Sequence, residues 1–169
     1  MNSTHLHLVL NHVVIMAALF SAVLFLFGVF RKNETIKNVA LFGFVISALS
    51  AIPVFLTGEP AEESVEHLPG VFESAIDAHE DAATFSLWMI EIAGIVALGS
   101  LLLKKVQFFR SSIFTAAFTL ISFVSAGAIS YTGYLGGQIR HSEISANALS
   151  PAGEQGGEQG EAGGDKDDD

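Results

Sequence analysis

The chain has 169 residues, half of them apolar, and its 8 basic and 18 acidic side chains give a formal net charge of −10. This length predicts one folded domain. So acidic a chain lacks the basic surface that binds phosphates, and we therefore expect no nucleic-acid partner. The absence of cysteine excludes disulfides, thiolate metal sites and haem attached covalently through cysteine.

Four stretches nearly free of charge predict transmembrane helices. They cover residues 8–30, 38–58, 82–103 and 111–134, and the single charged residue within them is Glu91. Each is long enough for a hydrocarbon core of about 30 Å, which roughly 20 helical residues cross. The stretches lack the alternating pattern of barrel strands. They predict an all-α, antiparallel four-helix bundle in lipid, with a four-span domain over residues 1–145.

Two acidic regions lie outside these stretches. Residues 59–81 contain eight acids and no lysine or arginine. Their apolar residues predict a short amphipathic segment that folds over the bundle, with a solvated loop as the alternative. Residues 146–169 combine glycine, glutamate, glutamine and aspartate, a composition that cannot bury apolar surface and predicts a disordered acidic tail.

The basic residues predict the orientation in the membrane. Residues 31–37 and 104–110, which connect the first stretch to the second and the third to the fourth, hold six of the eight lysines and arginines. The positive-inside rule places both connections in the cytoplasm. We therefore expect a multi-pass protein with both termini on the outer side.

All six histidines fall on the predicted outer side of the membrane. They are His5, His7, His12, His67, His79 and His141. Three of them, His12, His79 and His141, are the candidate ligands of one site, because each lies at the outer end of a different span. Two imidazoles suit a haem b, and histidines with carboxylates suit zinc or copper. The alternative is that each imidazole forms an ordinary interfacial hydrogen bond and no cofactor is bound.

The remaining histidines are weaker candidates. His5 and His7 precede the predicted hydrocarbon core, near a chain terminus, and terminal residues are often mobile. His67 lies in a turn-like sequence, Glu-His-Leu-Pro-Gly, and is expected to face solvent.

Two further polar residues lie within the spans. Glu91 is near the middle of the third, and Asn11 precedes His12 in the first. An ionisable group in a span normally faces the bundle interior, so Glu91 suits a proton relay or an ion site. The alternative is a neutral carboxyl hydrogen-bonded to a serine or threonine of the fourth span. The zinc-protease, serine-hydrolase and nucleotide-binding motifs are missing, so the sequence predicts no reaction.

Two segments resemble a bacterial membrane family catalogued as domain of unknown function 2231. Residues 7–15, HLVLNHVVI, resemble its opening pattern, roughly H-P-x-x-V-H-F-P-I, and residues 136–141, GGQIRH, resemble its closing glycine pair and histidine. Ala78-His79 is similar to its middle histidine. Leu8 and Val14 stand where the family has proline, and Asn11 replaces an apolar residue.

The resemblance spans residues 6–143 and implies a four-helix protein of the bacterial inner membrane with a haem or redox role. The matched positions are His7, His12, His79, Gly136, Gly137 and His141. The working hypothesis is electron transfer through a histidine-bound haem b or metal, with the lipid bilayer and a redox or membrane protein as partners. A homo-oligomer is compatible with it. The competing hypothesis is a non-catalytic membrane component whose acidic outer segment binds a partner protein or cations.

Overall fold

The computed structural model describes residues 3–140, and all of its regular structure is helical. The α-helices are α1 (Ser3–Phe30), α2 (Glu34–Leu56), α3 (Gly58–Glu62), α4 (Glu73–Leu102) and α5 (Ser112–Arg140), and a 3-10 helix (Gln107–Arg110) precedes α5. The predicted all-α fold is confirmed for this part of the chain. The predicted acidic tail, residues 146–169, and the end of the predicted domain lie outside the described residues.

Four of the helices, α1, α2, α4 and α5, are long and apolar enough to cross a membrane. The prediction of a multi-pass membrane protein is therefore confirmed at this level. Helix α4 begins at Glu73, well before residue 82, where the charge-free stretch begins. The helix is longer than the apolar stretch because its backbone hydrogen bonds continue through the acidic first turns. The acidic side chains of these turns are exposed and can be solvated by water.

The four long helices form a ring in which α1 packs on α2 and α5, and α4 packs on the same two helices. Inside the ring, Phe118 of α5 meets Phe25 and Phe44 edge to face, with ring centroids 4.8 and 5.5 Å apart. Phe114 stacks on Phe118 and meets Phe109 of the 3-10 helix. This aromatic cluster lies next to the two basic connections, at what we call the basic end.

Small and hydroxyl-bearing residues join the helices elsewhere in the interior. The hydroxyl of Ser47 in α2 donates to the carbonyl of Val14 in α1 at 2.9 Å. Ser125 of α5 donates to the carbonyl of Met89 in α4, also at 2.9 Å. Such bonds between helices satisfy polar groups that lipid cannot solvate. Large apolar side chains on the outside of the ring suit contact with lipid acyl chains.

The opposite end of the ring carries the acidic connection between α2 and α4, and we call it the acidic end. Helix α3 packs on α1 and α2 there, and Ala61 is buried. The hydroxyls of Thr4 and Ser64 are 2.8 Å apart and join the start of α1 to the turns after α3. The start of the acidic segment, α3 with Ser64, therefore packs against the bundle, whereas Leu68 and Phe72, two of the segment's apolar residues, are exposed.

Candidate functional site: a histidine pair at the acidic end

His79 occupies a half-buried position in the second turn of α4. Its Nδ1–H donates to the carbonyl of Thr132 in α5 at 3.0 Å. The ring lies directly against Gly136, where a Cβ atom would be 2.9 Å from Cε1 of His79. Thr132 is itself held, because its hydroxyl donates to Ala128 and accepts from Ser86 at 2.8 Å. Helix α5 thus fixes both the place and the orientation of this imidazole.

His7 is held in a similar way between α1 and α2. Its Nδ1–H donates to the carbonyl of Val54 at 2.9 Å, and the hydroxyl of Thr57 lies 3.4 Å from the same nitrogen. A Cβ at Gly58, the first residue of α3, would be 3.9 Å from Cε1 of His7. The imidazole is close enough to His79 for a charge on one ring to act on the other.

The two rings share one tautomer, which leaves the same nitrogen available on each. A carbonyl oxygen only accepts hydrogen bonds, so Nδ1 carries the proton in both neutral rings and Nε2 has a free lone pair. Metal-bound histidines usually have this arrangement, with one nitrogen on the metal and the other donating to a carbonyl or carboxylate. His7 and His79 are therefore chemically suited to act as ligands through Nε2.

The structure does not bring His12 into this pair. Its side chain is exposed, and its Nδ1–H donates to the carbonyl of Leu8, one turn back in α1, at 2.6 Å. Five residues separate His12 from His7, which places the two side chains about 140° apart around the helix. His141, the third member of the predicted set, lies outside the described residues. His67 is exposed, with its Nε2 3.1 Å from Glu66.

Within residues 3–140, the structure brings no three histidine or acidic side chains together as a metal-binding group. The described part of the site consequently offers two ligands, His7 and His79. A third ligand would have to come from another part of the chain or from a bound molecule.

Carboxylates also cluster at the acidic end. Glu62 ends α3, and burial raises its pKa above the ordinary value, with further upward contributions from the nearby charges of Glu80, Glu66, Asp77 and Glu59. Each of these neighbours repels a negative charge on Glu62. The acidic end therefore concentrates negative charge between α3 and the first turns of α4.

Glu91 lies apart from the histidine pair, deeper in α4. Its Oε1 is buried and has no hydrogen-bond partner among the described residues. The structure thus does not show the predicted bond to a serine or threonine of the fourth span. The hydroxyls of Ser125 and Ser130 donate to main-chain carbonyls instead. Asn11, the other predicted polar residue, is half-buried in α1.

The residue that sequence reasoning undervalued is His7. The signal for it was its match to the first histidine of the family pattern, whereas its position ahead of the apolar stretch argued against it. Helix α1 begins at Ser3, so His7 lies in an ordered helix rather than a mobile terminus. Neither a protein-family model nor a curated protein nor a solved structure matches this chain.

Proposed function

We propose that this protein is a small multi-pass component of the bacterial inner membrane that binds haem b or a transition-metal ion through His7 and His79. The observation that carries the proposal is the shared anchoring of the two rings, each of which donates Nδ1–H to a main-chain carbonyl of a neighbouring helix. Among residues 3–140 neither Nε2 has a hydrogen-bond partner, so both lone pairs are available for a ligand bond.

The number of imidazole nitrogens available decides which cofactor the site suits. A haem iron takes two axial ligands, which matches one imidazole from α1 and one from α4. Zinc or copper would need at least one more ligand, and His141, five residues after Gly136, is the candidate in the sequence. With haem or copper bound, the site would support electron transfer, and the protein would need a redox partner in the membrane.

The proposal includes the orientation of the bundle. The four spans run antiparallel, the basic connections face the cytoplasm, and both termini and the histidine pair face outward. His12 is only an accessory residue in this proposal, because its side chain projects from a different face of α1 than that of His7. The resemblance to domain of unknown function 2231 favours His12, His79 and His141 as the ligand set, and both His7 and His12 match its pattern. The choice of His7 over His12 therefore rests on the anchoring of the His7 ring to Val54.

The test is cofactor content after expression with ample haem. We expect the detergent-purified protein to show a Soret band or, in elemental analysis, a stoichiometric transition metal. His7→Ala and His79→Ala should each weaken cofactor affinity by at least about tenfold, because loss of a residue that merely supports a ligand already costs roughly 10–100-fold. His79→Asn keeps a side-chain N–H for Thr132 but removes the free ring nitrogen, and it should lose the cofactor without loss of folding.

His67→Ala is the matched control, because the His67 side chain is 88% exposed and lies outside the pair. His12→Ala distinguishes the ligand set predicted from the sequence, which includes His12, from the histidine pair in the structure, which does not. We expect this variant to retain the cofactor. A protein with neither a Soret band nor bound metal would refute the proposal.

A second candidate function is the binding of cations or a basic partner at the acidic end. The raised pKa of Glu62 favours this function, because it results from burial and from the negative charges of four neighbouring carboxylates. A cation or basic peptide would relieve this repulsion. Calcium-dependent thermal stabilisation that disappears in Glu62→Gln, with unchanged haem and metal content, would support this function over the first.

A further inference from the structure

The basic end of the bundle carries positive charge that no carboxylate of residues 3–140 balances. The one acid at this end of the described chain is Glu34, and its carboxylate already pairs with Lys37 at 2.7 Å. Five other cations at this end are exposed and have no ion pair within residues 3–140: Arg31, Lys32, Lys104, Lys105 and Arg110. The counterions of these five side chains must therefore come from outside this part of the chain.

Three of the five cations belong to the connection between α4 and α5, residues 103–111, which is an ordered turn. The backbone N–H groups of Val106 and Phe109 donate to the carbonyls of Leu103 and Val106 at 2.9 and 3.2 Å. The ring of Phe109 packs edge to face on that of Phe114, with centroids 5.1 Å apart. The backbone that carries these cations is consequently anchored to the aromatic cluster.

Exposed apolar side chains lie among the cations of this connection. Val106 and Phe108 are both exposed and stand between Lys105 and Arg110. The connection begins where the third charge-free stretch ends, so it lies at the edge of the hydrocarbon core. Basic and apolar residues together are typical of segments at a membrane interface, where the apolar side chains contact acyl chains and the cations reach the head groups.

The charge of the connection indicates which head group it suits. Residues 92–142 contain no aspartate or glutamate, so neither the second half of α4 nor the described part of α5 can neutralise Lys104, Lys105 and Arg110. The phosphodiester of an anionic phospholipid supplies an unbalanced negative charge at this depth, whereas a zwitterionic lipid also brings an ammonium group of its own. Each lysine or arginine near an anionic lipid surface strengthens binding about fivefold.

We propose that the connection between α4 and α5 binds an anionic phospholipid. Its phosphodiester lies among Lys104, Lys105 and Arg110, and its acyl chains lie beside Val106 and Phe108. This interaction goes beyond the cofactor proposed for the acidic end, needs no ligand on the histidines, and holds whichever side of the membrane the basic end faces.

Native mass spectrometry of the detergent-purified protein tests this proposal, because it counts bound lipids. In titrations with phosphatidylglycerol and phosphatidylcholine of identical acyl chains, the wild type should bind phosphatidylglycerol saturably and about tenfold or more tightly, as two or three cations predict. The double variant Lys104→Gln, Lys105→Gln should weaken this binding about thirtyfold, equivalent to roughly 2 kcal/mol. The double variant Lys104→Arg, Lys105→Arg keeps both charges and should bind nearly as well as the wild type.

A second double variant, Glu34→Gln, Lys37→Gln, is the control for position. It removes the ion pair at the basic end without changing the net charge, and phosphatidylglycerol binding should be unchanged. Equal affinity of the wild type for the two lipids would overturn the proposal without recourse to any variant, and so would full binding after loss of both lysines. Competition by inorganic phosphate at concentrations equal to those of the lipid would also overturn it, because the cations would then recognise free phosphate.

Discussion

At the scale of single residues, the placement of His79 depends on a neighbour without a side chain. Gly136 leaves room for the imidazole, since a Cβ there would be 2.9 Å from Cε1 and 3.2 Å from Nδ1 of His79. Contacts this short would force the ring to move, and the Nδ1–H bond to Thr132 would lengthen. The next residue, Gly137, has no other part of the described chain within 4 Å of its Cβ position and therefore provides a matched comparison.

We predict that Gly136→Ala destabilises the protein by about 1–3 kcal/mol, the usual cost of overpacking. Gly137→Ala should stabilise it by about 0.5–1 kcal/mol, because alanine is the better residue within a helix. Thermal unfolding of both variants in the same detergent measures the difference. If both alanine variants changed the unfolding temperature equally and in the same direction, His79 would not be confined by α5.

The candidate site was only partly predictable at this scale. His79 could be identified from its position at the head of the third span, because this depends on local sequence alone. His7 could not, since its value as a ligand depends on how α1 packs on α2 and brings the ring to Val54. The orphaned oxygen of Glu91 was equally inaccessible, because the serines expected to bind it satisfy main-chain carbonyls instead.

At the scale of elements, the contact between α2 and α4 depends on a close approach at Gly94. A Cβ at this position would overlap the Cβ of Ala48 and would be 3.4 Å from the carbonyl oxygen of Phe44. The backbones of the two helices consequently pack closely here, as small residues allow in membranes. Gly127 on α5, by contrast, has nothing from another helix within 4 Å of its Cβ position among residues 3–140.

We predict that Gly94→Ala separates α2 from α4 and costs about 1–3 kcal/mol, whereas Gly127→Ala is neutral or slightly stabilising. The measurement is the midpoint of thermal unfolding, supported by the monomer peak in size-exclusion chromatography. A loss of stability in Gly127→Ala as large as that in Gly94→Ala would contradict the close approach.

The carboxylates of α4 near Glu62 predict a dependence of stability on pH. Since the pKa of Glu62 is raised in the folded protein, its ionised form destabilises the fold. This cost is fully present above the raised pKa and disappears as the pH falls below the ordinary carboxyl value. We therefore expect Glu62→Gln to be more stable than the wild type at neutral pH, with a difference that shrinks on acidification.

The measurement is the unfolding temperature of both proteins across the acidic range. Glu73→Gln is the control, because Glu73 is an exposed acid in the first turn of α4 and has no part in the repulsion on Glu62. A stability difference between Glu62→Gln and wild type that is constant with pH would show that ionisation of Glu62 is not its cause.

The elements themselves followed from the sequence more readily than their ends. Runs without charge specify the apolar middle of a membrane helix, so all four long helices were predicted. The ends depend on capping and on solvation of the flanking residues, which hydropathy does not report. Thus α4 extends through its acidic turns, and α2 begins where Asn33 accepts a hydrogen bond from the backbone N–H of Ile36 at 3.1 Å.

At the scale of the whole molecule, the separation of charge predicts the orientation in the membrane. The absence of cysteine allows single cysteines to be introduced and labelled selectively. We predict that His67→Cys, at the acidic end, reacts with a membrane-impermeant maleimide on intact cells. Lys105→Cys, at the basic end, should react only after permeabilisation. The reverse pattern would place the histidine pair in the cytoplasm.

The two ends of the bundle are also held together by different forces. At the basic end, Phe25, Phe44, Phe114 and Phe118 interlock, and water offers no substitute for these contacts. At the acidic end, the joints are hydrogen bonds such as those of His7 and His79 to carbonyls, which water can replace at low cost. We therefore expect the acidic ends of the helices to separate more readily than the basic ends. Such a local separation would give the proposed cofactor a route to the imidazoles without unfolding of the chain.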